Sequence, residues 1–164
     1  MTKNVTFIGM DNGLVSVLDS AGISPHETLD LAAEELRNYP AQKCPLRHIF
    51  TPGLYIREIT MPKGTMVVSK EHKTTHPYFI QRGLLAVYNT ADDFLGYKCV
   101  GQWGVTTPGT RRLLKICEET VWITVHPMDF ITGEENDWDE AKKKDLVERL
   151  ELLLVGSIVD EIYK

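Results

Sequence analysis

The sequence predicts a mainly β domain, a sandwich or barrel, with a helical segment before it and an amphipathic helix after it. Three observations lead there. Short runs rich in β-branched and aromatic residues recur between residues 46 and 126, with turn signals every ~8–12 residues. No strand–helix–strand alternation interrupts them, so a parallel βαβ fold is excluded. Helical apolar spacing is confined to the two ends of the chain.

The first part runs to residue 45. Ser24-Pro25-His26-Glu27 is a capping box with proline at the first helical position. Leu29, Ala32, Ala33 and Leu36 follow at helical spacing, and Tyr39-Pro40 ends the run. His26 reads as a solvated first-turn residue. The β part, 46–130, begins with LYIREITM, which stops at Pro62-Lys63-Gly64, and TMVVSK. PYFI ends at Gln81-Arg82-Gly83, and LLAVYNT ends at Ala91-Asp92-Asp93. YKCV and WGVTT lead to Pro108-Gly109, and RRLLKI turns at Cys117-Glu118-Glu119 into TVWITVH. In the tail, 131–164, Asp137 with Glu140 reads as a capping box. Leu146, Val147, Leu150, Leu153 and Leu154 form an apolar stripe, and Gly156-Ser157 breaks it.

Composition bounds the function. The chain has 164 residues, enough for one domain with a core of its own. Its formal charge of −5 argues against a general nucleic-acid coat, which needs a basic surface. No apolar run reaches the ~18 residues that span a bilayer, and the N-terminus lacks a signal-peptide core. Cys44, Cys99 and Cys117 are far apart and form no CxxC pair, so neither a disulfide framework nor a zinc knuckle is suggested, and a reducing cytoplasm is the expected location.

The stretch GTMVVSKEHKTTHPYFIQRG places His72 and His76 four apart. On a regular strand they would share a face but lie ~13 Å apart. Ligands of one metal must be much closer, since Zn–N bonds are ~2 Å. A helix is excluded by Pro77 and the flanking strands. The two histidines converge only if Lys73–Thr75 forms a loop.

The spacing resembles the first cupin motif, G(X)5HXH(X)3–4E(X)6G, with Gly64, Lys70, His72, His76 and Gly83 at the marked positions. Gly101, Pro108, Gly109 and Arg112 follow the second motif, with the proline displaced by one position. The resemblance covers residues 46–126 and implies a single cupin-type jelly-roll β-barrel of the RmlC-like class. CPLRHIFTPGLYIREITMPKGT, HKTTH and PGTRR look like small cupin-like proteins encoded by phages and prophages.

The departures from the motif decide the expected chemistry. Metal cupins hold His, His, Glu and His where this chain holds Lys70, His72, His76 and Arg112. An ammonium or guanidinium offers no lone pair near neutral pH. An ordinary cupin metal site is therefore disfavoured. A divalent metal (Zn, Fe, Mn or Ni) remains an alternative through His72, His76 and His126. The other reading is a pocket for a small anion: Lys70, His72, His76 and Arg112 converge in one barrel mouth, extended by Tyr78, Tyr88 and Trp122, with Arg82, Arg111 and Trp103 nearby in sequence. Only one of Arg111 and Arg112 should face inward, because strand neighbours alternate.

The expected function is a non-catalytic barrel binding a nucleotide, sugar phosphate or carboxylate, with sequestration of a host-defence nucleotide signal as a concrete version. The alternatives are a metal-binding or RmlC-like epimerase, with His72 or His76 as base, and a virion or assembly component. Self-association is expected from the apolar C-terminal helix and from the way cupins pair through barrel edges.

Overall fold

The computed structural model describes residues 5–10, 13–18, 24–90 and 93–155, with side chains from residue 24 onward. Strands β1 (Val5–Met10) and β2 (Gly13–Leu18) pair antiparallel as a hairpin. The helical reading of the first part omits this hairpin. Its sequence signal is Asn12-Gly13 between two alternating apolar runs.

Helix α1 (Pro25–Leu36) has the expected capping box: the Glu27 amide donates to Ser24 Oγ, and the Ser24 amide donates to Glu27 Oε2. Such a cap stabilises a helix by about 1 kcal/mol. Its buried face, Leu29 and Leu36, packs on Met66 and Leu113.

The body is one antiparallel sheet of seven strands. Five lie in the order β3 (Leu46–Thr51), β4 (Leu54–Met61), β9 (Leu113–Pro127), β6 (His76–Tyr88), β7 (Phe94–Cys99). β5 (Met66–Val68) pairs with β9, and β8 (Trp103–Thr106) pairs with β6. β6 and β9 are long, at 13 and 15 residues, and each carries shorter partners along its two halves. The sheet curls but does not close, because edge strands β3 and β7 do not pair with each other. That corrects the closed jelly roll expected from sequence.

Two expected turns are absent for one shared reason. Gly83 has φ +98° and lies where the β6–β9 register shifts, so it makes a bulge inside β6 rather than a turn after PYFI. Glu118 and Glu119 face that bulge, so β9 also continues through them. A side chain at Gly83 would run into the Glu119 carbonyl and Thr120.

Helix α2 (Glu140–Val155) follows a 3₁₀ turn, Glu134–Asp137. Asp139 caps α2, accepting from the Lys142 amide at 2.9 Å, and Asp137 ends the 3₁₀ turn instead of forming the expected box. Leu150 and Leu154 are buried against Phe50, Tyr55, Met128 and Ile131, with Leu146 and Val147 alongside. Leu153 is 55% exposed, and Glu151 takes the inward place. The helix thus closes one end of the curled sheet. Gly156-Ser157 lies outside the described residues.

Candidate functional site

Alternation selects the inner face. Tyr55, Arg57, Ile59 and Met61 share one side of β4, opposite His126, Thr124, Trp122 and Thr120 of β9. Tyr78 and Ile80 of β6 meet Thr124 and Trp122. The face of β9 that carries Trp122, Thr124 and His126 is therefore the interior one.

The segment after β5 supplies His72. The Ser69 amide donates to the Arg112 carbonyl at 2.9 Å, and the Arg112 amide donates to Ser69 Oγ at 2.9 Å. The His72 amide donates to the Thr110 carbonyl at 3.0 Å, and its carbonyl accepts from the Gly109 amide at 2.8 Å. These bonds tie the two motif segments together. The Lys73–Thr75 loop then brings the His72 and His76 rings to a centroid separation of 5.0 Å. His126 stands 4.3 Å from His76, and Tyr55 stacks at 5.7 Å from His126. A column of rings crosses the interior.

The interior holds two adjoining chambers that share Ser69, His72, Thr106, Leu114 and Trp122 in their linings. The larger, about 310 Å³, is lined by Ser69, His72, Tyr78, Lys98, Arg112 and Trp122, among others. The second, about 140 Å³, is lined by Arg57, Lys70, His72, His76 and Trp122 with an apolar wall. The four motif positions therefore do not share one cavity. Arg112 is in the first chamber, Lys70 and His76 in the second, and His72 between them. Tyr88 lines neither and packs against Phe94. His126 lines a small recess of about 40 Å³ beyond His76.

Arg111 and Arg112 part as alternation requires. Arg111 faces α1, paired with Asp30 Oδ1 at 2.6 Å. Arg112 Nη1 donates to Asn89 Oδ1 at 3.2 Å and to the Arg111 carbonyl at 2.8 Å. Among the described residues Arg112 has no carboxylate partner. Arg82 pairs with Glu119 on the surface, and Trp103 is 67% exposed on β8. Lys98 lies 5.2 Å over the Tyr78 ring, and Tyr78 stacks on Trp122 at 4.6 Å.

The histidines do not supply the charge expected of them. Burial, then His76, Arg57 and Arg112, push His72 down to about 4. Burial, then His76, Arg57 and His72, push His126 down to about 3. Burial lowers His76 as well, against the bond to the Thr74 carbonyl. All three rings are neutral near pH 7, and the permanent cations are the arginines and lysines.

Sequence reading missed three residues here: Arg57, Lys98 and Glu151. Glu151 Oε1 lies 3.8 Å from Arg57 Nη2. Among the described residues, three ring nitrogens, His72 Nδ1, His76 Nε2 and His126 Nδ1, are buried without a hydrogen-bond partner, as are Arg57 Nε and Nη2. Neutral imidazoles with free nitrogens are suitable donors for a divalent metal. The arrangement does not fit one: among the described residues no three ligating side chains form a metal-ion group, and the Arg57 guanidinium lines the same recess. The expected His72, His76 and His126 set is thus adjacent without being a metal centre as it stands.

No protein-family model matches the chain, and no curated protein matches it. Among solved structures, the chain is similar to a cupin-2 domain containing protein from Shewanella frigidimarina, at 14% identity over 66% of this chain and 97% of that one, with a TM-score of 0.43. An RmlC-like cupin family protein with a double-stranded β-helix fold, from Methanocaldococcus jannaschii, matches at 10% identity, 60% and 89% coverage, and TM-score 0.42. Ectoine synthase from P. lautus matches at 13% identity, 64% and 80% coverage, and TM-score 0.46. The first two are described as cupin or RmlC-like proteins, and none of the three says anything about a phage source. Among the described residues no helix is long and apolar enough to cross a membrane.

Proposed function

We propose that this chain is a non-catalytic receptor for a small phosphate-bearing anion, a nucleotide or sugar phosphate, bound in the larger chamber. One observation carries the reading: Arg112 is half-buried, lines that chamber, and has no counter-ion among the described residues. A guanidinium so placed recruits an acceptor, and phosphate matches its planar fork. Lys98 adds a second cation, while Ser69, Thr106 and Thr110 offer hydroxyls. The stacked Tyr78 and Trp122 give a base or sugar ring a flat wall. A volume of about 310 Å³ is at the lower end of small-molecule sites. The resemblance to phage and prophage proteins puts nucleotide signals first among ligands to try.

Thermal denaturation with nucleoside monophosphates and sugar phosphates tests this. Wild type should melt higher with at least one of them, and Arg112→Gln should abolish the shift. If none shifts wild type, or Arg112→Gln responds in full, the reading is wrong. The catalytic alternative, epimerisation with His72 as base and Tyr78 as acid, is tested by deuterium uptake from D2O into nucleotide-sugars, and this reading predicts none. It also predicts no stoichiometric Zn, Fe, Mn or Ni by elemental analysis. Self-association is supported by Phe94, Leu95 and Tyr97, exposed on edge strand β7. Light scattering at micromolar concentration should then report more than one copy.

A further inference from the structure

The second chamber is left unused by the Arg112 reading, and its chemistry is different. Ile59, Met61, Val67, Leu114 and Trp122 make an apolar wall. Arg57, His72, His76 and Thr124 line both this chamber and the small recess, so the two adjoin.

Arg57 is the feature that needs a partner. Its Nε and Nη2 are buried and hydrogen-bond to nothing among the described residues. Those two N–H groups lie on one edge of the planar guanidinium, the edge that grips a carboxylate with two parallel bonds. Glu151 Oε1, at 3.8 Å, is beyond hydrogen-bond reach of Nη2 but close enough to offset part of the positive charge.

His76 supplies the complementary group. It is 1% exposed, and its Nδ1 lies 3.2 Å from the Thr74 carbonyl, which can only accept. The proton is therefore on Nδ1, and Nε2 presents a bare lone pair with no partner. Arg57, His76 and the greasy wall line one chamber, with the Arg57 Nε/Nη2 edge and His76 Nε2 just beneath its water-accessible surface, so a ligand reaches them by displacing neighbouring side chains.

We infer that this chamber binds a small hydroxycarboxylic acid with an apolar body. The carboxylate takes the Nε/Nη2 edge of Arg57, the hydroxyl donates to His76 Nε2, and the hydrocarbon lies against Ile59, Met61 and Trp122. Glu151 beside the arginine favours a singly charged carboxylate over a phosphate dianion. A volume of about 140 Å³ is too small for a nucleotide. The two chambers share five lining residues, but Arg57 lines only this one and Arg112 only the other.

The test uses the full chain with 2-hydroxyisovalerate as probe, its uncharged amide as control, and inorganic phosphate. The acid should raise Tm and the amide should not. Arg57→Lys, which keeps the charge and loses the fork, should weaken the acid by about tenfold or more in calorimetric titration. Arg112→Gln should leave the acid response intact. In wild type, nitrogen NMR of labelled histidine should show the His76 Nε2 signal moving on addition of acid, a readout that needs no variant to fold. Equal effects of acid and amide, an unchanged affinity in Arg57→Lys, or a still His76 signal would each overturn the inference. An acid response lost in Arg112→Gln but kept in Arg57→Lys would also overturn it, while leaving the first chamber's role standing.

Discussion

Acid should unfold this protein through its buried histidines, and the steepness follows from their environment. His72 falls from an ordinary 6.5 to about 4, and His126 to about 3. In the unfolded chain both protonate as pH drops through 6.5, while in the fold both stay neutral until far lower. The unfolded state therefore binds more protons throughout that window. Stability from these groups is complete above pH 6.5 and is lost as pH falls toward their folded values. Each such histidine contributes about 1.4 kcal/mol per pH unit, so the pair gives a slope near 3 kcal/mol per unit between about pH 6 and pH 4. His76 and His48, both lowered chiefly by burial, act in the same direction. His76, Arg57 and Arg112 add to the depression of His72, while the bond to the Thr74 carbonyl opposes that of His76. Chemical denaturation at a series of pH values measures the slope directly. His126→Asn should reduce it by about 1.4 kcal/mol per unit. A stability that is flat from pH 7 to pH 5 would refute the burial of neutral rings on which this rests.

Other substitutions test the fold that holds the site. Gly83→Ala combines a positive φ with collision against the Glu119 carbonyl and Thr120, and should cost about 3 kcal/mol or more in urea denaturation. Leu150→Ala, at a fully buried position, should cost about 2–5 kcal/mol, while Leu153→Ala should change stability by about 0.5 kcal/mol or less because that side chain is 55% exposed. Asp139→Ala removes the α2 cap and should cost about 1 kcal/mol.

Much of the fold is legible in the sequence, and its gaps have physical causes. The α1 capping box and the β-rich middle follow from local chemistry and period-two patterning, and they appear as read. The two false turns arose because Gly83 and the Glu118-Glu119 pair carry turn-like composition. Only the pairing of β6 with β9 reveals that the glycine is a bulge within a long strand. Asp139 and Asp137 are both plausible caps in sequence, and the intervening 3₁₀ turn decides between them. The motif spacing singled out His72, His76 and Arg112, and it could not show that His76 and Arg112 line different chambers. Arg57 was detectable in principle: LYIREITM puts it on the same side as Tyr55, Ile59 and Met61, an arginine on an apolar face. Glu151 likewise interrupts the inward stripe between Val147 and Leu154. Lys98 gave no local signal, since its role depends on β7 lying beside Tyr78.

If Arg112 makes the larger chamber an anion receptor, as proposed, a heavy halide should bind there. Anomalous diffraction from iodide-soaked crystals tests it most directly. An iodide peak is expected inside that chamber, against the Arg112 guanidinium and beneath the Tyr78–Trp122 stack, and it should be lost in Arg112→Gln. Iodide found only on the outer surface, with the chamber holding none at saturating soak, would contradict it.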